Sequence, residues 1–217
     1  MVNFDLSFTV FMSSLGSMNL KSRIKEISII GIIKIAFIIF VSFSLFTNII
    51  TFYEGGSGDD YVYAIVGIDL ANGSYGYTNK LWEETGRIEF VPQHWRETNQ
   101  DVLVPVSSPG IIVTSALSYL IGGYYGLLYL GPLFSILFLI ISERVATKLF
   151  GSFVGLVAII LLGSDLIFFN IGQQLLTDNI FSLFFVLGIY YLIKFFHEKK
   201  DKLILLSSIF FCYLCIF

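Results

Sequence analysis

Apolar residues fall into five long blocks, and the polar residues between them are few and clustered. The first block runs from Ile27 to Tyr53, the second from Ile111 to Ile141, the third over 152–170, the fourth over 179–195 and the last over 203–217. A bilayer-spanning helix needs about 20 apolar residues, so each of the first four blocks is long enough or nearly so. The second, about thirty residues long, exceeds one span and falls short of two, and Gly122-Gly123 divides it. The one extended polar stretch lies between the first two blocks, over 54–110.

Charge orders these pieces. Basic residues gather at Lys21, Arg23 and Lys25, at Arg144 and Lys148, and at Lys194, Lys199, Lys200 and Lys202 with His197. The 54–110 stretch instead holds three basic residues against nine acidic ones, a net charge of −6. Lys and Arg mark the cytoplasmic side of membrane helices. The basic clusters therefore belong inside, and the acidic stretch outside. Only one crossing then fits between that stretch and Arg144. The expected layout is a cytoplasmic segment 1–26, a first span 27–53, an outer loop 54–123 and a second span 124–142. A cytoplasmic loop 143–151, a third span 152–170, an outer loop 171–178 and a fourth span 179–195 follow. A cytoplasmic turn 196–202 and a shortened fifth span 203–217 complete it. Segment 111–122 reads as a helix lying on the outer membrane surface. Lys34, two turns into the first span, is expected to snorkel toward the basic side.

Composition agrees. Of 217 residues 56% are hydrophobic and 13% charged, with 23 Phe, 12 Tyr and 2 Trp. A soluble domain is about 25% charged, so the balance excludes a disordered tail, a collagen-like fibre and a disulfide scaffold, and argues against a soluble globular domain. The class is an all-α, polytopic membrane protein, and nothing in it points to nucleic acid. Cys212 and Cys215 share one face of an apolar helix and read as small apolar residues rather than as a redox pair. The last block, fifteen residues from Leu203 to Phe217, is expected to be the start of a span, which makes the chain the front portion of a longer protein.

The outer loop carries the candidate chemistry. It opens G-S-G-D-D-Y-V-Y-A-I-V-G-I-D-L-A-N-G. Asp59 suits a helix N-cap and Asp60 its first turn, where negative charge is favoured. Asn72-Gly73 suits the stop, so a helix is expected over 60–71. Both carboxylates then stand near the outer headgroups, and they also serve simply as a cap and a solvated turn. Asp178, at the outer end of the fourth span, belongs to the same face. Tyr61, Tyr63, Tyr75 and Tyr77 fit an interfacial belt or a sugar-binding surface. Asp165, inside the third span near its outer end, is an intramembrane acid with a route to water. His94 beside Trp95 offers a contact to sugar or metal.

The pattern D-D-Y-V-Y-A followed by L-A-N-G resembles the first outer loop of the multi-spanning C-type glycosyltransferases, among them protein O-mannosyltransferases and the aminoarabinose transferases that modify lipid A. Asp59 and Asp60 match the acidic pair, and Tyr63-Ala64 the Tyr-Ala. S-S-P-G at 107–110, A-T-K-L-F-G at 146–151 and L-L-T-D at 175–178 resemble later motifs of that family in order and side. The likeness covers about residues 27–202. It departs where Ser107-Ser108 replaces a commoner Lys-Pro, and where Asp165 stands in place of a frequent proline.

The resemblance implies transfer of a sugar from a polyprenyl-phosphate carrier to a protein, lipid or glycan acceptor outside the cytoplasm, with inversion, in the plasma membrane of a prokaryote. Asp59 would be general base with Asp60 beside it. Asp178 and Tyr63 would position substrate, Arg87, Arg96 or Lys80 would meet the donor phosphate, His94 would contact sugar or metal, and Asp59 with Asp178 could share Mg or Mn. The competing readings are a transporter fragment, expected to show Gly/Pro-broken helices and polar residues at mid-membrane, and a non-catalytic membrane scaffold.

Overall fold

The computed structural model describes residues 20–47, 58–74, 77–78, 95–97, 102–105 and 108–214, with 20–28, 58–61 and the strand residues described by backbone alone. The elements are helix α1 (Leu20–Thr47), helix α2 (Gly58–Ala71) and strands β1 (Tyr77–Thr78), β2 (Trp95–Glu97) and β3 (Val102–Pro105). Helices α3 (Pro109–Phe150), α4 (Ser152–Gly163), α5 (Leu166–Gly172), α6 (Thr177–Glu198) and α7 (Asp201–Tyr213) follow. The architecture is α-helical. Its one addition among the described residues is a small antiparallel sheet in the order β1-β3-β2, with Tyr77 opposite Leu103 and Arg96 opposite Val104.

Among the described residues, three helices are long and apolar enough to cross a membrane: α1 from Ile29, α3 and α6. The bent pair α4–α5 makes a fourth if it counts as one span. The outward faces fit lipid rather than water. On α1 they carry Ile32, Ile35, Ile39, Phe40 and Phe43, all exposed.

The 42-residue helix α3 is two arms, 109–122 and 124–150, because Gly123 takes φ +57° and ψ −144°. That left-handed conformation suits glycine. Ser118 Oγ donates to the Gly126 carbonyl at 2.9 Å across the bend, so the arms fold sharply back on each other. The division expected at Gly122-Gly123 is therefore present. The second arm continues through Phe150, so most of the expected loop 143–151 is helix and the turn shrinks to Gly151, at φ +96°.

The expected third span is not continuous. Helix α4 ends at Gly163 after 12 residues, a rise of about 18 Å against an apolar core of ~30 Å. Helix α5 leaves it at 69°. The cause is local: Asp165 sits at the break as the N-cap of α5, its carboxylate accepting from the Ile167 N–H at 2.9 Å. The loop expected over 171–178 is shorter too, since α5 reaches Gly172 and α6 begins at Thr177. Helix α7 starts at Asp201, two residues before the expected span.

Contacts fix how the helices run. Phe46 near the C-terminal end of α1 meets Tyr129 at the start of the second α3 arm, ring centroids 5.5 Å apart. Lys34, midway along α1, meets Glu143 near the end of that arm. The two are thus antiparallel. Helices α6 and α7 are also antiparallel, with Ser207 Oγ donating to the Gly188 carbonyl at 2.8 Å. Arg144, Lys148, Lys194 and Lys199 share one end of the bundle, with Lys148 within electrostatic reach of Glu198.

Candidate functional site

At the far end, opposite the basic residues, α2 packs onto the first α3 arm. Gly67 lets the two helices touch: a Cβ there would lie 2.5 Å from Ser115 Cβ. Val66, Ile111, Ile112, Leu127, Leu130, Leu175 and Ile180 form one buried apolar cluster. Tyr63 packs against it, half-buried. Burial of this kind stabilises by about 25 cal/mol per Å² of apolar surface. The cluster unites the acidic-motif helix with the segment that carries Asp178, although more than a hundred residues separate them in the chain.

Helix α2 starts at Gly58, so Asp59 is not its N-cap; both Asp59 and Asp60 stand in the first turn. Negative charge is favoured there by the helix dipole. The helix stops as expected. Asn72 N–H donates to the Ile68 carbonyl, and Gly73 adopts φ +83°. Burial pushes the Asp69 carboxyl, on the same helix, above its ordinary value.

Asp178 is the second residue of α6 and is exposed. It lines a cleft of about 130 Å³ with Ser135 and Phe138 of α3, Phe168 and Ile171 of α5, and Asn179 and Ser182 of α6. The Phe138 and Phe168 rings lie 6.3 Å apart. Asn179 builds the cleft wall: its amide donates to the Ile171 and Gln174 carbonyls at 2.7 and 2.8 Å, closing the turn between α5 and α6. A mixed lining of carboxylate, hydroxyls and rings suits a small polar ligand with an apolar face.

A second polar group lies at the basic end. Lys34 Nζ donates to Glu143 Oε1 at 2.5 Å, to Thr147 Oγ1 at 2.9 Å and to Ser152 Oγ at 3.1 Å. Thr147 Oγ1 also donates to Glu143 Oε1. Both charged residues are 8% exposed. Lys34 therefore does not snorkel to water; it is neutralised within the bundle. Sequence reasoning missed this pair, and Asn179 with it. The available signal for Asn179 was an amide beside Asp178 at the start of an apolar block.

Of the sequence candidates, the structure brings Tyr63 and the helix bearing Asp59 and Asp60 to the Asp178 end. Arg96 stands in β2. Arg87 and His94, like Lys80, lie outside the described residues. Among the described residues no group of three or more His, Cys, Asp or Glu is placed to hold a metal ion. No protein-family profile, curated protein or solved structure matches the chain.

Proposed function

We infer that the protein is a membrane glycosyltransferase, moving a sugar from a polyprenyl-phosphate carrier to an acceptor at the face opposite its basic ends. The observation that supports the reading is the shared apolar cluster, which seats α2, with Asp59 and Asp60 in its first turn, at the same end of the bundle as Asp178 and its cleft. In this reading Asp59 takes the proton from an acceptor hydroxyl as its oxygen attacks the anomeric carbon. The phosphate leaves with the bonding electrons, and the single displacement inverts the centre. A carboxylate at a water-accessible interface suits that work. Asp178 and Tyr63 hold the acceptor side, Asp60 stands beside the base, and Asp59 with Asp178 would hold any divalent cation the transfer uses.

The test is sugar transfer in membranes carrying the protein expressed from its full reading frame, with a polyprenyl-phosphate sugar as donor. Asp59→Asn is expected to lower the rate at least ~100-fold, the range of general-base contributions. Asp165→Asn, which touches only the α5 cap, is expected to keep it. An Asp59→Asn protein with full activity removes the base assignment, and no transfer by the unaltered protein removes the whole reading.

One feature favours a second reading, a transporter. The α4–α5 pair is broken at 69°, and a cleft lies beside the break; interrupted helices around a polar site are the transporter pattern. Solute accumulation by proteoliposomes, without any transferase activity, would decide for it.

A further inference from the structure

The polar cluster at the basic end is not used by the proposed transfer. Lys34 and Glu143 are the two charged residues buried among the described ones, and three helices supply the group: Lys34 from α1, Glu143 and Thr147 from α3, Ser152 from α4. All three ammonium protons have an oxygen partner, so the group is closed and leaves no donor for a ligand. Gly155 of α4 makes the room. A Cβ there would run into Thr147 Oγ1 and come within 3.0 Å of Lys34 Nζ and 3.1 Å of Glu143 Oε1.

The rest of the α1 interface is apolar: Phe37, Val41 and Leu45 meet Leu139, Leu156 and Ile159. Between helices in lipid such contacts gain nothing from excluding water, because acyl chains are as apolar as leucine. Apolar packing therefore discriminates weakly between α1 on its seat and α1 surrounded by lipid. An ammonium inside the bilayer is costly unless paired, and Lys34 finds a carboxylate and two hydroxyls only on this seat. We propose that the Lys34–Glu143–Thr147–Ser152 cluster is a docking lock that sets the depth and rotation of α1 against α3 and α4. Because Lys34 precedes Glu143 by 109 residues, α1 is made before its counter-charge. It holds Lys34 at the headgroups until α3 arrives, and docking then draws the ammonium inward.

Docking is read near the C-terminal end of α1, away from the cluster. Phe46→Cys and Tyr129→Cys are introduced where the two ring centroids lie 5.5 Å apart, with Cys212 and Cys215 replaced by Ser, and cross-linking by a short bis-maleimide is measured in native membranes. The reference protein is expected to cross-link nearly fully. Glu143→Gln, Lys34→Met and Gly155→Leu are expected to lower the yield at least five-fold. The charge exchange Lys34→Glu with Glu143→Lys is expected to return it to within two-fold of the reference. Single variants that cross-link like the reference overturn the proposal. So does an exchange variant no better than the single ones, whether the loss is read as cross-linking or as failure to accumulate in the membrane.

Discussion

The two ends of the bundle treat charge in opposite ways. At the basic end a lysine and a glutamate are drawn inside, 8% exposed, with each ammonium proton matched to an oxygen. At the far end Asp178 stays exposed on the rim of a cleft, with no hydrogen bond or ion pair among the described residues. Satisfied charge in a low-dielectric setting rigidifies and specifies a packing. Charge left accessible is available to a ligand. The contrast separates an end whose charge is used up in packing from an end whose charge is left accessible.

Removing a carboxylate from each end is the strongest way to break this contrast. Glu143→Ala leaves a buried ammonium without its counter-charge, a change that typically costs about 3–5 kcal/mol. The thermal midpoint of the detergent-solubilised protein is expected to fall sharply, while Asp178→Ala, which loses only a first-turn helix-dipole interaction, should cost no more than about 1 kcal/mol and barely move it. Equal losses at both ends would end the distinction.

The next effect concerns the frame of the cleft. Gly131 of α3 lies directly against the Gln174 carbonyl, and a Cβ there would overlap that backbone oxygen. Because the obstacle is main chain and not a flexible side-chain tip, Gly131→Ala is expected to destabilise by about 1–3 kcal/mol, the usual overpacking range. The displaced turn carries Gln174, which Asn179 holds by its carbonyl, so the variant should also weaken any ligand binding in the cleft. Gly31, with open space around it, is the control: Gly31→Ala should be neutral or slightly stabilising.

Much of the frame was legible from local signals. The charge bias separated the two ends, Gly122-Gly123 marked the bend in α3, and Asn72-Gly73 marked the end of α2. The break between α4 and α5 was harder to see, because Leu161-Leu162 and Leu166 to Phe169 read as one apolar run. The interruption rests on Ser164-Asp165 alone, and a single capping carboxylate inside an apolar block looks like an intramembrane acid. The Lys34–Glu143 pair had no local signal at all. Each residue looked like a flank of its own span, and only tertiary packing brings them together. At the candidate site, the sequence placed the acidic pair and Asp178 on one face, but not the residues that wall the cleft. Ser135, Phe138 and Phe168 are ordinary members of apolar blocks until α5 turns aside.

The α5 cap lies between the two ends and gives a smaller effect. Asp165→Ala removes the acceptor for the Ile167 N–H and is expected to cost about 1 kcal/mol, as N-cap losses do. Because the break also rests on the turn around Ser164, the bend should persist, and the loss should appear as faster amide exchange at Ile167.

The smallest effect is a pH dependence confined to the far end. Burial raises the Asp69 carboxyl above its ordinary value of 3.8, so the folded protein binds that proton more tightly than the unfolded chain does. The sign follows from linkage: stability gained from the neutral form is fully present below the ordinary value, and it is lost as pH rises through the higher, folded one. The thermal midpoint should therefore decline slightly over that acidic window. Asp69→Asn, which stays neutral throughout, should remove this part of the slope. A pH slope that survives in Asp69→Asn but vanishes in Glu143→Gln would place the titrating group at the basic end, reversing the division between a closed end and an accessible one.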